Sequence, residues 1–275
     1  MKARYFPEHN YRAIFHNGST LRIAIDPNKP ISKLDYPEII DISLGDKCET
    51  GRCRYCYASG NPRGRHYTNV TKKVEGYFGP LTTNQRPFQV AIGGQQEPLE
   101  HPEFWDVIHK FRELDIVPNY TTNGVLFNEE IAEKTRMCGG VALTLHTHLK
   151  EHWQKTLELC AKFGIKPNVH IIISDKESMS LIDYAANQEI DNIVLLPYMN
   201  IGFAKRNPRS ILFDQLERKI DTLYSKGVKN IAFGAGFFYW LKEKAKWDVS
   251  LYEPEVVSSY LILDDPITSH QNSYI

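Results

Sequence analysis

Three of the five cysteines in this chain of 275 residues, Cys48, Cys53 and Cys56, fall within nine consecutive positions. An odd group of neighbouring thiols does not suit a set of disulfides. The first ten residues carry charges and no apolar run, so we expect no signal peptide and a reducing compartment. Closely spaced thiolates are typical of metal and iron–sulfur ligation. Three protein ligands leave one coordination position open, as in catalytic metal sites. The trio therefore predicts a reactive metal or cluster site.

The cysteines directly follow a predicted strand, the apolar run at 39–44, and a repeating strand–helix pattern comes after them. The further predicted strands are 88–92, 118–121, 141–145, 168–173, 192–196 and 230–233. The predicted helices between them are 104–113, 129–137, 151–163, 178–187 and 210–226, after a short helix near 70–76. Gly164 and Gly227 stand where two of these helices should end. Such alternation predicts a parallel α/β sheet, either a partial or full barrel or an open doubly wound sheet.

Parallel α/β sheets bind their ligands at the C-terminal ends of the strands. Polar, glycine-containing or titratable segments follow the predicted strands at these ends. After the cysteines they are Gly93–Pro98, Thr122–Gly124, His146–His148, Ser174–Asp175 and Pro197–Asn200. We expect these segments to meet on one rim. If its strand continued through both, His146 and His148 would face opposite sides of the sheet.

In order and type, these motifs resemble those of the radical S-adenosylmethionine (radical SAM) enzymes, over about residues 38–198. The resemblance implies an α/β fold, a partial (β/α)6 TIM-like barrel, here with an N-terminal β-hairpin and a short C-terminal extension. It implies that Cys48, Cys53 and Cys56 bind a [4Fe-4S] cluster whose free iron chelates the methionine part of SAM. Tyr55 is then expected near the adenine, and the turn at 93–97 near the methionine amino group.

Two features depart from that family's pattern. The chain has C-x4-C-x2-C where C-x3-C-x2-C is usual, with Gly51 available to absorb the extra residue in a turn. Gln95 and Gln96 stand where the family tends to have another glycine. The residues that the resemblance places around the cofactor are Tyr55, Gly93, Gly94, Gln95, Gln96, Glu97, Asn123, Thr144, His146, Ser174 and Tyr198. It assigns no catalytic residue.

The resemblance implies reductive cleavage of SAM to a 5′-deoxyadenosyl radical, which abstracts hydrogen from an unidentified substrate. It also implies an electron donor such as flavodoxin or ferredoxin. The chain length and the absence of cysteines after Cys160 favour a peptide or protein substrate. Alternatives are a nucleotide- or RNA-modifying enzyme, a glycyl-radical activase, and a non-catalytic Fe–S or metal-binding module. For the trio itself, the alternative is a zinc or structural site with a distant fourth ligand such as His66.

Lys plus Arg and Asp plus Glu both number 33, so the formal net charge is zero. Bulk charge therefore does not indicate a nucleic-acid partner, although a local basic groove would escape this count. No apolar run is long enough to span a bilayer, and we expect a cytoplasmic protein. Cys138 and Cys160, far from the trio, are predicted to be small buried hydrophobes.

The predicted organisation has three parts. Residues 1–37 form an N-terminal hairpin, with a turn at Asn17–Gly18, followed by a linker rich in proline. Residues 38–235 form the barrel core, and residues 236–275 a C-terminal extension. The aromatic run at 233–240 and the tail at 260–275 either close the open side of the barrel or are ordinary core and a loose terminus.

Overall fold

A computed structural model describes residues 1–32, 34–51, 53–174, 176–188, 190–228, 230–244, 258–264 and 268–271. Its first element is an antiparallel sheet of three strands, β1 (Lys2–Phe6), β2 (Tyr11–His16) and β3 (Ser19–Ala24). The predicted hairpin is confirmed as β2 and β3. They are joined by Asn17 and Gly18, both at positive φ (48° and 79°), as a two-residue turn of the hairpin type requires.

Strand β1 was not predicted from the sequence, and the reason lies in its inward-facing side chains. Its inward positions include Lys2 and Arg4 rather than a regular series of apolar residues. The Arg4 guanidinium is buried 4.0 Å above the Phe88 ring, where a cation–π contact replaces apolar packing. Phe15 also stacks on Phe88, with ring centroids 5.4 Å apart. The N-terminal sheet therefore packs on the residue that precedes the second barrel strand.

Seven parallel strands form a partial TIM-like barrel, as predicted. They are β4 (Ile39–Ser43), β5 (Gln89–Ile92), β6 (Val117–Thr122), β7 (Gly140–Thr144), β8 (Asn168–Ile173), β9 (Asn192–Pro197) and β10 (Asn230–Phe233). Each pairs in parallel with its neighbour along the chain. The sheet is therefore a simple succession of right-handed crossover units of the expected kind.

Helices connect the strands and cover the outer face of the sheet. They are α1 (Val70–Phe78), α2 (Phe104–Glu113), α3 (Glu129–Thr135), α4 (Lys150–Lys162), α5 (Lys176–Asn187), α6 (Phe213–Ser225) and α7 (Phe238–Lys244). Gly164 and Gly227 follow the ends of α4 and α6 at positive φ (66° and 78°), which confirms both predicted helix ends.

The core lies between the sheet and these helices. In each strand, alternate residues such as Ile42, Ile92 and Leu143 are fully buried against the helices. Cys138 and Cys160 are buried among these apolar residues, which confirms the prediction that both are small hydrophobes. The intervening residues face the barrel interior and include polar ones such as Thr121 and His170. Alternate residues of each strand therefore pack in the core, and the residues between them line the barrel interior.

Two strands that the sequence did not predict extend the sheet beyond β4. Strand β11 (Ser258–Ile262) pairs in parallel with β4, and β12 (Thr268–Gln271) pairs antiparallel with β11. Leu261 and Leu263 are buried with the residues under α1 and α2. No helix in the described ranges is both long and apolar enough to cross a bilayer.

Candidate active site

The three cysteines lie in a loop that begins just after β4, at the C-terminal edge of the sheet. Backbone bonds pin this loop against the 61–66 segment: Cys48 N–H donates to Asn61 O (3.0 Å), and Gly45 and His66 form an isolated bridge. Within the loop, Cys56 N–H donates to Cys53 O (3.1 Å). The loop is thus a folded structure with its own backbone partners.

All three thiols line one cavity of about 360 Å³. A Cβ built on Gly51 would lie 2.9 Å from Cys48 Sγ and 3.6 Å from Cys53 Sγ, so only glycine fits between these two sulfurs. Thiolates on a single zinc ion at about 2.3 Å would lie about 4 Å apart. Among the described residues, no group of three or more His, Cys, Asp or Glu side chains is arranged to hold one metal ion.

Burial raises the pKa of Cys48 to about 11 and that of Cys53 to about 12. Without a cation, both side chains are therefore thiols at neutral pH. A metal or cluster displaces such protons when it binds, which couples ligation to deprotonation. Cys48 and Cys53 would therefore ionise only with a cation bound beside them.

The extra residue between Cys48 and Cys53 is accommodated by specific hydrogen bonds. The Glu100 carboxylate accepts the backbone N–H of Glu49 (2.9 Å), the backbone N–H of Thr50 (2.8 Å) and the Thr50 hydroxyl (2.6 Å). Asn123 Nδ2 donates to Thr50 Oγ1 (3.0 Å), and His148 Nε2 lies 2.8 Å from Gly51 O. Residues from three different strand ends therefore hold the enlarged loop in place.

Most of the residues predicted around the cofactor line the same cavity as the thiols. They are Tyr55, Gly93, Gly94, Gln95, Gln96, Glu97, Asn123, Thr144 and His146. Ser174 and Tyr198 do not; both line a separate space of about 30 Å³, which they share with Tyr55 and Arg209. The Tyr55 ring thus stands between the two spaces. His66 lines neither of these two spaces. Its ring packs on that of His101, with centroids 5.0 Å apart.

The turn after β5 carries one buried side-chain amide that has no hydrogen-bond partner. Gly94 adopts φ 86°, and Gln96 is 7% exposed with neither Oε1 nor Nε2 hydrogen-bonded. Glu97 instead accepts the Thr122 hydroxyl (2.7 Å) and the Asn123 N–H (2.8 Å). Burial raises the pKa of Glu97 to about 7, although these hydrogen bonds oppose the shift. Glu97 thus fixes the turn to the end of β6, and Gln96 retains its full hydrogen-bonding capacity.

His146 and His148 lie on the same side of the sheet edge. Strand β7 ends at Thr144, a single 3-10 turn begins at Thr147, and the two rings approach to 5.6 Å. The opposite-facing arrangement expected for a continuous strand therefore does not apply, because the strand ends before His146. The Tyr55 hydroxyl hydrogen-bonds to His146 Nδ1 (3.0 Å). Burial lowers the pKa of His146 to about 3, so its ring is neutral.

Three residues that form or support this site were given no role from the sequence, although His148 was placed in a rim segment. His170 lines the cavity from β8, where burial lowers its pKa to about 4. Its inward position in an alternating strand was a usable signal. Glu100 and His148 hold the cysteine loop across about fifty and ninety-seven positions of sequence. No local pattern marks such contacts.

No protein-family profile matches the chain, and no curated protein matches its sequence. Solved structures do match its fold. Streptococcus suis SuiB bound to the precursor peptide SuiA gives a TM-score of 0.65 at 16% identity, over 84% of this chain and 58% of that one. SuiB bound to S-adenosylmethionine gives 0.63 at 18% identity, over 84% and 59%. Tagged anSMEcpe with bound AdoMet gives 0.58 at 13% identity, over 83% and 72%.

The chain thus spans about three fifths of the length of the SuiB structures that it matches. These neighbours are radical SAM enzymes. At such low identity the likeness concerns the fold and not individual residues. The likeness in fold agrees with the parallel partial barrel of this chain, which has its cavity at the C-terminal ends of the strands. The chain therefore has the fold of the radical SAM enzymes.

Proposed function

We propose that this protein is a radical SAM enzyme whose [4Fe-4S] cluster is held by Cys48, Cys53 and Cys56. One observation carries the proposal: the three thiols share a single cavity with the glycine-containing turn at 93–97 and with Asn123. A cluster held by three protein ligands would keep one iron free to bind a small molecule, and the cavity beside the three thiols offers space for one. The likeness in fold to proteins with bound SAM supports the same cofactor here.

When bound, the cluster supplies one electron to the sulfonium of SAM, which yields a 5′-deoxyadenosyl radical for hydrogen abstraction. The protein's own residues bind and orient the cofactor. Gln96 offers an unpaired amide donor and acceptor for the polar amino-acid part of SAM. Tyr55, held by its bond to His146, provides an aromatic wall, and the neutral His146 and His170 rings add no charge to the cavity.

A peptide or protein is the substrate class that we propose. The support is the likeness in fold to SuiB, whose structure contains a precursor peptide. The chain has no cysteine after Cys160, so any peptide chemistry would proceed without a further Cys-ligated cluster in that part of the sequence.

Anaerobic reconstitution followed by product analysis tests the proposal. Reconstituted protein should hold about four iron ions per chain. With SAM and dithionite it should form 5′-deoxyadenosine and methionine, measured by liquid chromatography. Cys48→Ala, Cys53→Ala and Cys56→Ala should each lose both iron and product, whereas Cys160→Ala, which changes a cysteine in the core, should keep both.

Two results would count against the proposal. An intact cluster that forms no 5′-deoxyadenosine would identify a non-catalytic iron–sulfur module. Full iron content and turnover in the three alanine variants of the cysteine loop would show that the ligands lie elsewhere.

A further inference from the structure

A second concave surface lies on the outer side of the cysteine loop. This groove, of about 730 Å³, has two walls, one from the 53–62 segment and one from the 203–207 segment. The walls are tied together by Phe203 N–H, which donates to Cys56 O (2.9 Å). Gly202 packs so closely that a Cβ there would lie 2.1 Å from Tyr57 O. The groove is therefore a built feature and not a loose gap between loops.

The groove is basic although the chain as a whole is neutral. Two of its seven lining residues are arginines and none is an Asp or Glu. Arg54 and Arg206 line the groove and are exposed, and neither forms an ion pair within the described part of the chain. Arg206 lies 5.8 Å above the Phe203 ring. An apolar centre with a cationic rim is thus offered to a partner.

Cys53 is the only one of the three thiol-bearing residues that lines both the groove and the inner cavity. Together with Gly60, which also lines both, it forms the wall between them. A group bound in the inner cavity would be closest to a partner in the groove through this residue.

We propose that this groove is the docking surface for an acidic, low-potential one-electron donor protein of the flavodoxin class. The inference rests on the proposed function, because such a donor is needed only if Cys53 ligates a redox cluster. One electron leaves the flavin hydroquinone and enters the cluster, so the donor is oxidised by one electron and the cluster reduced by one. Complementary charge accelerates such brief encounters without needing a large interface, and it makes them sensitive to salt.

Charge reversal in the groove tests the docking directly. The probe is a purified acidic flavodoxin. Its binding in the oxidised form is measured by biolayer interferometry, and electron transfer from its hydroquinone is measured by stopped-flow. Arg54→Glu with Arg206→Glu should lower the association rate on the order of tenfold at low ionic strength and flatten its salt dependence. Arg218→Glu, an exposed arginine on α6 outside the groove, should change neither.

Two control measurements separate this inference from the proposed function. Iron content and dithionite-driven formation of 5′-deoxyadenosine should be the same in wild type and in the double variant, since dithionite needs no docking surface. If wild type forms no 5′-deoxyadenosine with dithionite, the proposed function fails, while the binding measurement still reports on the groove.

Equal flavodoxin association rates in wild type and double variant would overturn the docking assignment. A single-stranded RNA oligonucleotide serves as the competing probe. Loss of RNA binding in the double variant, with flavodoxin affinity unchanged, would assign the groove to nucleic acid and also overturn it.

Discussion

At the scale of single residues, the candidate site contains buried polar side chains that have hydrogen-bond partners and one that has none. Glu97 uses both carboxylate oxygens to hold the end of β6. Gln96, its neighbour, is equally buried but has no partner for either amide atom. A buried amide without hydrogen bonds costs roughly 1–3 kcal/mol. Gln96 therefore reduces the stability of the ligand-free protein and is suited to bind a polar ligand.

Gln96→Leu should separate stability from binding. Leucine has a similar size and removes the unpaired amide, so the free energy of unfolding of the ligand-free protein should rise by about 1 kcal/mol. The affinity for SAM should fall by about tenfold or more, because the ligand loses the hydrogen bonds that Gln96 offers. Urea denaturation and calorimetric titration with SAM measure the two effects. Lower stability together with unchanged affinity would exclude this role for Gln96.

His170→Asn should reduce the loss of stability at acidic pH. Burial depresses the pKa of His170 to about 4, below its ordinary value near 6.5, so the unfolded chain binds a proton first as the pH falls. The histidine's contribution is complete above pH 6.5 and is lost as the pH falls towards 4. Between pH 7 and pH 5 that loss is at most about 2 kcal/mol, and less where cavity water solvates the ring. Urea denaturation at the two pH values would contradict the account if wild type and His170→Asn lost equal stability.

At the scale of elements, the cysteine loop depends on contacts from distant strand ends. The Glu100 carboxylate holds the loop from the segment after β5, and His148 holds it from the segment after β7. The proposed cluster site therefore depends on the assembled barrel edge and not on the nine-residue motif alone.

Glu100→Gln should weaken the hold on the cluster. An amide in place of the carboxylate turns one acceptor oxygen into a donor and removes the charge from the bonds to Glu49 and Thr50. Iron should be lost several-fold faster to a chelator, followed by absorbance. Glu103→Gln is a matched control, since Glu103 accepts both the N–H and the hydroxyl of Thr71 at the start of α1. Equal rates of iron loss in the two variants would refute the role of Glu100.

The strands and helices of the barrel could be predicted because apolar periodicity and local signals agree with the final packing. The helix at 104–113 and the strand at 230–233 have their predicted bounds. Strand β1 escaped prediction because a buried cation, Arg4, takes the place of an apolar residue. The site's main cavity could be predicted from strand ends. The small space behind Tyr55, lined by Ser174 and Tyr198, could not, because it depends on where one aromatic ring lies.

At the scale of the whole molecule, segments at the two ends of the chain pack on the barrel. Glu38, the residue before β4, joins the N-terminal sheet to the barrel. It is 2% exposed and accepts hydrogen bonds from the Tyr11 hydroxyl (3.1 Å) and the Arg22 guanidinium (2.6 Å). Strand β11 pairs with β4 itself, and Leu263 N–H donates to Ser43 O (3.2 Å). The strand that leads into the cysteine loop is thus supported by both flanking segments.

Leu263→Ala should destabilise the whole barrel. Its side chain is fully buried in the core beneath α1 and α2, and truncation there leaves a cavity at a cost of about 3 kcal/mol. Leu21→Ala is the control, since Leu21 on β3 is 57% exposed and its truncation should cost less than about 0.5 kcal/mol. Thermal unfolding of both variants provides the comparison. Similar melting temperatures would show that β11 and the residues after it contribute little to the fold.

The central claim is that Cys48, Cys53 and Cys56 hold a cluster with one iron open to SAM. Electron paramagnetic resonance of the reconstituted, one-electron-reduced protein, recorded with and without SAM, tests it most directly. We predict a spin-half cluster signal whose g values shift when SAM is added, because the ligand binds the iron that lacks a thiolate. A cluster signal that SAM leaves unchanged would contradict the open coordination position and with it the proposed function.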